Sequence, residues 1–264
     1  MQKVTSKDGT TIAYDQTGNG PVVIPVGGAL QFRALDFGLK QMAALFAPHF
    51  TVLNYDRRGR GDSSDTQPFS IQREIEDLEA LIDCAGGSAY IYGISSGAAL
   101  AMEAAVALGS KKVKKLAMYE APYNDDADAR QAWAKYRKEL DALVAQGRGG
   151  DAILLFMKLV GMPDEHAAGM RQNPMFPLFE AVGHTLAYDA AALGDESAVP
   201  LEQAARVTMP TLTMDGSESY PFMHTAAVAL AKAMPQGEHL TLQGQTHEVT
   251  PEALTPVLIE FFSR

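Results

Sequence analysis

The chain has 264 residues, 47% of them hydrophobic, with 22 Lys+Arg against 32 Asp+Glu for a formal net charge of −10, and a single cysteine. The apolar share excludes a disordered chain, and the length fits one large α/β domain with or without an inserted subdomain. The acidic balance argues against a nucleic-acid partner, whose binding needs clustered Lys and Arg, and the lone Cys84 excludes an intramolecular disulfide or a thiolate metal cluster.

Strand-like segments at 3–6 and 10–15 flank Lys7-Asp8-Gly9, where Asp-Gly is a hairpin signal, so the chain is expected to open with antiparallel β structure. The first residues carry no apolar h-region, and no secretory signal is expected from them. Val22-Val23-Ile24-Pro25-Val26 is a continuous apolar run, the pattern of a strand buried on both faces. Next come a helical pattern over 35–46, a strand over 51–55, a helix over 72–84, a strand over 89–92, a helix over 98–108 and a strand over 113–119. This alternation predicts right-handed βαβ units and a mostly parallel sheet with helices on both faces.

From 123 to 206 only helical periodicity and breakers such as Gly147, Pro163, Pro174 and Pro200 remain. The expected organisation is a core domain of residues 1–122 and 207–264 interrupted by a helical cap at 123–206. The insertion is rich in Met and aromatics (Trp133, Phe156, Met157, Met162, Met170, Met175, Phe176, Phe179, Tyr188), expected mainly to pack the subdomain itself and to leave any adjoining crevice apolar. A strand over 211–215, a helix over 222–234, a strand over 239–242 and a helix over 252–262 complete the chain. The most apolar stretch, 89–109, is broken by Ser95, Ser96, Glu103 and glycines, so no membrane span is expected and the protein reads as soluble and cytoplasmic.

Ligands bind beyond the carboxyl ends of parallel strands, which directs attention to the strand-to-helix turns. The turn after Ala89-Tyr90-Ile91-Tyr92 reads Gly93-Ile94-Ser95-Ser96-Gly97, a G-x-S-x-G in the strand–turn–helix context of a nucleophile elbow. Such a turn lifts the Ser95 hydroxyl above the sheet, and glycines two residues either side remove Cβ atoms that would clash with strand and helix. Ser96 fails the same test, because Ile94 and Ala98 would fill its small positions. A serine hydroxyl needs an adjacent base. Of the six histidines, His247 lies between the last strand and the last helix, where the chain order Ser, acid, His puts the base. His49 and His239 read as structural, His166 and His224 as solvated or packing residues, and His184 as a candidate substrate contact. No ligand-spaced metal cluster, P-loop or dinucleotide fingerprint occurs, so neither a metal nor an organic cofactor is expected.

With these residues the chain resembles the α/β-hydrolase fold family over essentially its whole length, least so in the insertion. Val26-Gly27-Gly28-Ala29 resembles the family's His-Gly loop, with Gly27 replacing the His. The resemblance implies an oxyanion hole formed by the backbone N–H of Gly28 or Ala29 and that of Ser96. The stretch from Tyr55 to Ser63 is similar to the family's Asp-x-x-Gly-x-Gly-x-Ser loop, which implies that its arginines hold turns and salt bridges near the site.

In most relatives an Asp stands three residues after the Gly that ends the penultimate major strand; here Asp215-Gly216 leads to Ser219 instead. Because a serine cannot stabilise an imidazolium as a carboxylate does, three acids compete for the role. Asp215 and Glu218 lie beside the vacant slot, and Glu120 ends the strand after the nucleophile strand. Zearalenone-lactone hydrolases resemble the last arrangement, with a Glu at a similar distance after the serine. Glu120 is favoured, since its strand end faces the same crevice as Ser95.

The resulting expectation is a monomeric or homodimeric serine hydrolase, without nucleic-acid or membrane partner. It would cleave an ester or lactone of a hydrophobic small molecule through an acyl-enzyme on Ser95, His247 and Glu120. Relatives that open epoxides or displace halide carry an Asp in place of Ser95, which disfavours those reactions. Carbon–carbon bond hydrolysis, cofactor-free cyclisation, or ligand binding without turnover fit the same residues.

Overall fold

The computed structural model describes residues 1–264 apart from the side chains at 164, 167 and 168. Strands β1 (Gln2–Thr5) and β2 (Thr11–Gly18) pair antiparallel across a turn closed by Ser6 N–H to Thr10 O, with Gly9 at φ 88°, where a side chain would be strained. Next come β3 (Val22–Val26), α1 (Phe37–Phe46), β4 (Thr51–Tyr55), α2 (Ile71–Cys84), β5 (Ala89–Ile94), α3 (Ser96–Lys112) and β6 (Val113–Tyr119).

The chain between β6 and β7 (Thr211–Gly216) is helical without strands: α4 (Ala127–Ala145), α5 (Gly149–Leu159), α6 (Asp164–Met170), α7 (Phe176–Val182), a 3-10 turn (Gly183–Thr185), α8 (Leu186–Leu193) and α9 (Leu201–Ala204). Helix α10 (Pro221–Ala233), β8 (Gly237–Leu242) and α11 (Pro251–Ser263) complete the fold. Among the described residues, no helix is long and apolar enough to cross a membrane.

The eight strands lie in the order β1-β2-β4-β3-β5-β6-β7-β8, antiparallel at β1/β2 and β2/β4 and parallel from β4 to β8. Strands β4 and β7 are buried along their whole length, as strands of a parallel sheet covered by helices on both faces are. Alternate strand residues feed opposite faces. On one face Ile24, Leu53, Ile91 and Leu116 pack under Leu78 of α2, Leu100 of α3 and Leu230 of α10. On the other, Val23, Val52, Ala117 and Met214 pack under Phe46 of α1 and Phe262 of α11. Full burial of a Leu, Ile or Phe side chain contributes about 1.5–3 kcal/mol, so these two layers hold the sheet.

A third cluster joins the helices after β6 to Leu30 and Phe32 from the loop that follows β3. Because β3 leads to α1 on one face and β5 to α3 on the other, their carboxyl ends mark the switch point of the sheet, where open α/β sheets bind ligands.

Two local features differ from the sequence reading. Helix α3 starts at Ser96 and extends past Leu108 to Lys112, with a break at Gly109 (φ 69°, ψ 176°) that ends its regular part. The helical pattern that ends at residue 84 implies that Cys84 packs in the helix, but Cys84 is exposed: the buried stripe of α2 runs through Ile75, Leu78, Leu81 and Ile82, and the last residue of the helix falls outside it.

Candidate active site

Ser95 sits between β5 and α3 at φ 55° and ψ −132°, a region sparsely populated by residues with a Cβ. Its N–H donates to Tyr119 O at 2.9 Å and its carbonyl accepts from Ala98 N–H at 2.9 Å, so backbone bonds to β6 and α3 hold the turn. A Cβ on Gly93 would come within 2.5–2.8 Å of Gly97 O and the Ala98 backbone, and one on Gly97 would collide with the carbonyl oxygens of Val26 and Gly27. These approaches give the physical reason for both glycines. Ser96 opens α3, so its N–H has no intrahelical acceptor and lies at the positive end of the helix.

The loop between β8 and α11 brings His247 back over the sheet, where Tyr119 OH anchors it by donating to Thr246 O at 2.6 Å. His247 Nε2 lies 3.2 Å from Ser95 Oγ, and Nδ1 lies 2.7 Å from Glu120 Oε2. An ionised carboxylate can only accept, so Nδ1 carries the hydrogen and Nε2 is left free to accept from the serine. Glu120 comes directly after β6 at φ 47°, its carboxylate fully buried, and takes the Gly216 N–H on Oε1 at 2.8 Å and the Ser219 hydroxyl on Oε2 at 2.9 Å. No arginine or lysine reaches it among the described residues, so its charge is carried by these donors and by any imidazolium that forms at His247.

Gly28 of the β3–α1 loop lies against the nucleophile: a Cβ there would stand 3.0 Å from Ser95 Cβ. Its N–H donates to the side-chain oxygen of Gln31 at 2.5 Å. Buried arginines fix this loop. Arg57 donates to Gly27 O at 3.2 Å and Arg60 to Gly28 O at 2.6 Å, and both pair with Asp189 of α8, at 2.5 and 2.7 Å. The Ser96 hydroxyl donates to the same carboxylate at 2.9 Å. Burial pushes Asp189 toward protonation, but the charges of Arg60 and Arg57 outweigh it and hold the carboxyl below its ordinary range. One acid on the helical segment thus ties together the two backbone segments that border Ser95.

A profile of the alpha/beta hydrolase family matches residues 18–252. The chain belongs to the alpha/beta hydrolase family. An alpha/beta hydrolase from Sphaerobacter thermophilus is 47% identical, with a TM-score of 0.85 over 99% of this chain and 100% of that one. Two further solved structures share the fold: a thermophilic esterase from Thermogutta terrifontis (21% identity, TM-score 0.73, 99% and 97% covered) and an enol-lactonase from Burkholderia xenovorans (18% identity, TM-score 0.66, 100% of both chains).

Of the residues singled out in the sequence, this hydrolase fold brings Ser95, Ser96, Gly28, His247 and Glu120 together. The alternative acids point elsewhere: Asp215 binds His224, His239 and Thr241, and Glu218 accepts from its neighbour Ser217 at 3.5 Å. His184 lies 3.4 Å from Asp65 and edge-on to Tyr188. Ala29 packs against the third apolar cluster. The sequence reading does not single out Asp189, Gln31 or the supporting hydroxyl of Ser219. Asp189 had a legible signal, a lone acid within the apolar run Leu186-Ala187-Tyr188-Asp189-Ala190-Ala191-Ala192-Leu193, since a carboxylate buried on such a helix must be paired.

Proposed function

We propose that this family member is a serine hydrolase that cleaves a carboxylic ester or lactone of a hydrophobic small molecule. One observation carries the reading: the hydrogen-bonded series from Ser95 Oγ through His247 to the buried Glu120, mounted on a strained elbow. In this mechanism His247 Nε2 takes the proton as Ser95 Oγ attacks the carbonyl carbon. The electron pair of the C=O bond moves to oxygen, which the N–H groups of Ser96 and of Gly28 or Ala29 receive. His247 then gives its proton to the departing alkoxide oxygen. Water adds to the acyl-enzyme by the reverse sequence, releasing the acid and restoring the Ser95 hydroxyl. Glu120 holds the imidazole tautomer and stabilises the imidazolium.

The Gln31 side-chain oxygen accepts the Gly28 N–H, so Gly28 joins the oxyanion hole only if the substrate oxygen displaces that side chain. Leu30 and Phe32, close to Gly28 in sequence, share their apolar cluster with Phe176, Val182 and Leu186 of the helical segment, which acts as the cap and favours an apolar acyl or lactone group. The esterase and enol-lactonase neighbours share this scaffold, which is compatible with either bond. Turnover of p-nitrophenyl esters of several chain lengths and of a lactone panel tests the reading. Hydrolysis should occur and fall more than about 10³-fold in Ser95→Ala; no turnover of any member, or turnover that survives the substitution, would overturn it.

A further inference from the structure

Most of the buried acids in this chain are answered by arginine. Glu74 and Asp189 pair with Arg57, Asp77 with Arg58, and Asp56 with Arg33. Two carboxylates that are 1% exposed have no arginine or lysine in ion-pair range among the described residues. One is Glu120, which faces His247. The other is Asp215, at the carboxyl end of β7.

Three donors surround Asp215. His239 of β8 places Nε2 2.6 Å from Oδ1, His224 in the first turn of α10 places Nδ1 3.1 Å from Oδ2, and the Thr241 hydroxyl donates to Oδ1 at 3.1 Å. The β7/β8 register sets Asp215 opposite Thr241, with His239 two residues back along the strand, and α10 folds His224 down over both. The imidazoles cross nearly at right angles, 78° with centroids 5.2 Å apart, and one donor atom from each of the three residues falls within 4.8 Å of the others.

We propose that Asp215, His224 and His239 form a binding site for a divalent transition metal, zinc in the first instance. The donor chemistry fits: two imidazole nitrogens and one carboxylate oxygen are the ligand set of an open three-protein-ligand zinc site, with the fourth position left to water or to the Thr241 hydroxyl. The geometry is close to what the ion needs. With metal–ligand bonds of about 2.0–2.1 Å at tetrahedral angles the donors stand about 3.3 Å apart. The imidazole nitrogens stand 2.6 Å from Oδ1 and 3.1 Å from Oδ2, each within an ångström of that spacing, and one donor atom from each of the three residues lies within 4.8 Å of the others. His224, whose side chain is 55% exposed, has room to adjust and gives the ion a way in from solvent.

On binding, the hydrogen on each facing nitrogen moves to the far ring nitrogen or leaves to water, and the metal's charge takes over a buried carboxylate that no arginine or lysine among the described residues matches. The site escapes a motif search because its histidines stand 9 and 24 residues after the acid, on separate elements. It does not depend on the proposed hydrolysis. It adjoins that chemistry all the same, since the residue after Asp215 is Gly216, whose N–H holds Glu120.

The test uses the full chain after dialysis against chelator. Calorimetric titration with ZnCl₂ should give one saturable site per chain, with a melting temperature that rises with zinc concentration, and cobalt(II) in its place should develop the visible absorption of a nitrogen/oxygen site. His224→Gln, at an exposed position that leaves the fold intact, should weaken binding by more than about 10–100-fold, the loss already caused by removing a partner that only supports a ligand. His239→Gln should do the same, whereas His247→Gln should leave the affinity unchanged. No saturable binding up to about 0.1 mM zinc, or equal affinity in His224→Gln and wild type, would overturn the proposal.

Discussion

Replacing Glu120 by Gln keeps the shape of the side chain and removes its charge, and the three hydrogen bonds that the carboxylate accepts limit how the amide can sit. In one amide orientation the oxygen stays toward Gly216 N–H and the NH₂ faces His247 Nδ1 and Ser219. The imidazole must then accept at Nδ1, which puts its hydrogen on Nε2, toward Ser95, the wrong tautomer for a general base. In the other orientation the oxygen accepts from His247, and the NH₂ opposes the Gly216 N–H across 2.8 Å, donor against donor, in a fully buried position. Leaving such a group unsatisfied costs about 1–3 kcal/mol. Both orientations also lose the charge that stabilises the imidazolium.

Glu120→Gln should therefore lower kcat by about 10³–10⁴-fold with little change in KM, while the variant remains folded. Steady-state kinetics on the best ester of the panel, with circular dichroism as the folding control, measures this. Asp215→Asn and Glu218→Gln should both stay within about tenfold of wild type, since neither carboxylate reaches His247. A Glu120→Gln enzyme within tenfold of wild type would refute the reasoning.

Asp189→Asn removes one charge from two buried arginines, a change of about 3–5 kcal/mol in unfolding free energy by chemical denaturation. At permissive temperature kcat should also fall, because Gly28 and Ser96 lose their common anchor; unchanged stability would show that Asp189 does not hold the loop. Acid should destabilise the fold in a defined window. In Asp189, Asp8 and Asp65 burial raises the carboxyl, but Arg60 and Arg57, Arg58, and the His184 and Tyr188 hydrogen bonds respectively bring each one below its ordinary value. A folded-state value below the unfolded value of about 3.9 gives stability that is fully present above that pH and is lost as pH falls through the lowered values. The denaturation midpoint should drop between about pH 4 and pH 2, and less steeply in Asp189→Asn; a midpoint independent of pH there would contradict the assignment.

The centre of the sheet was legible because β3, β4, β5 and β6 are short, mostly apolar runs between breakers: β3, β4 and β6 begin and end where the residue pattern puts them. The elbow was legible for a steric reason, since only glycine fits at positions 93 and 97. The acid was harder. Nothing local to Glu120 distinguishes it from Asp215, because the choice depends on where the loop after β8 sets His247, a contact across 127 residues. Asp189 and Gln31 lay further out of reach for the same reason: their partners, Arg57, Arg60 and Gly28, are fixed by how the helical segment and the β3–α1 loop pack over the sheet. The pairing of Asp215 with two histidines likewise arises only from the register of β7 against β8 and the placement of α10. Periodicity reports elements, whereas charge pairing over long separations is a property of the assembled fold.

The central claim is that Ser95 is the nucleophile. Reaction of the folded chain with a fluorophosphonate, followed by intact mass and peptide mapping, tests it most directly. The account predicts a single adduct on Ser95, formed much more slowly in His247→Ala and absent in Ser95→Ala and in heat-denatured protein. No adduct on folded protein, or one on any other residue, would contradict it.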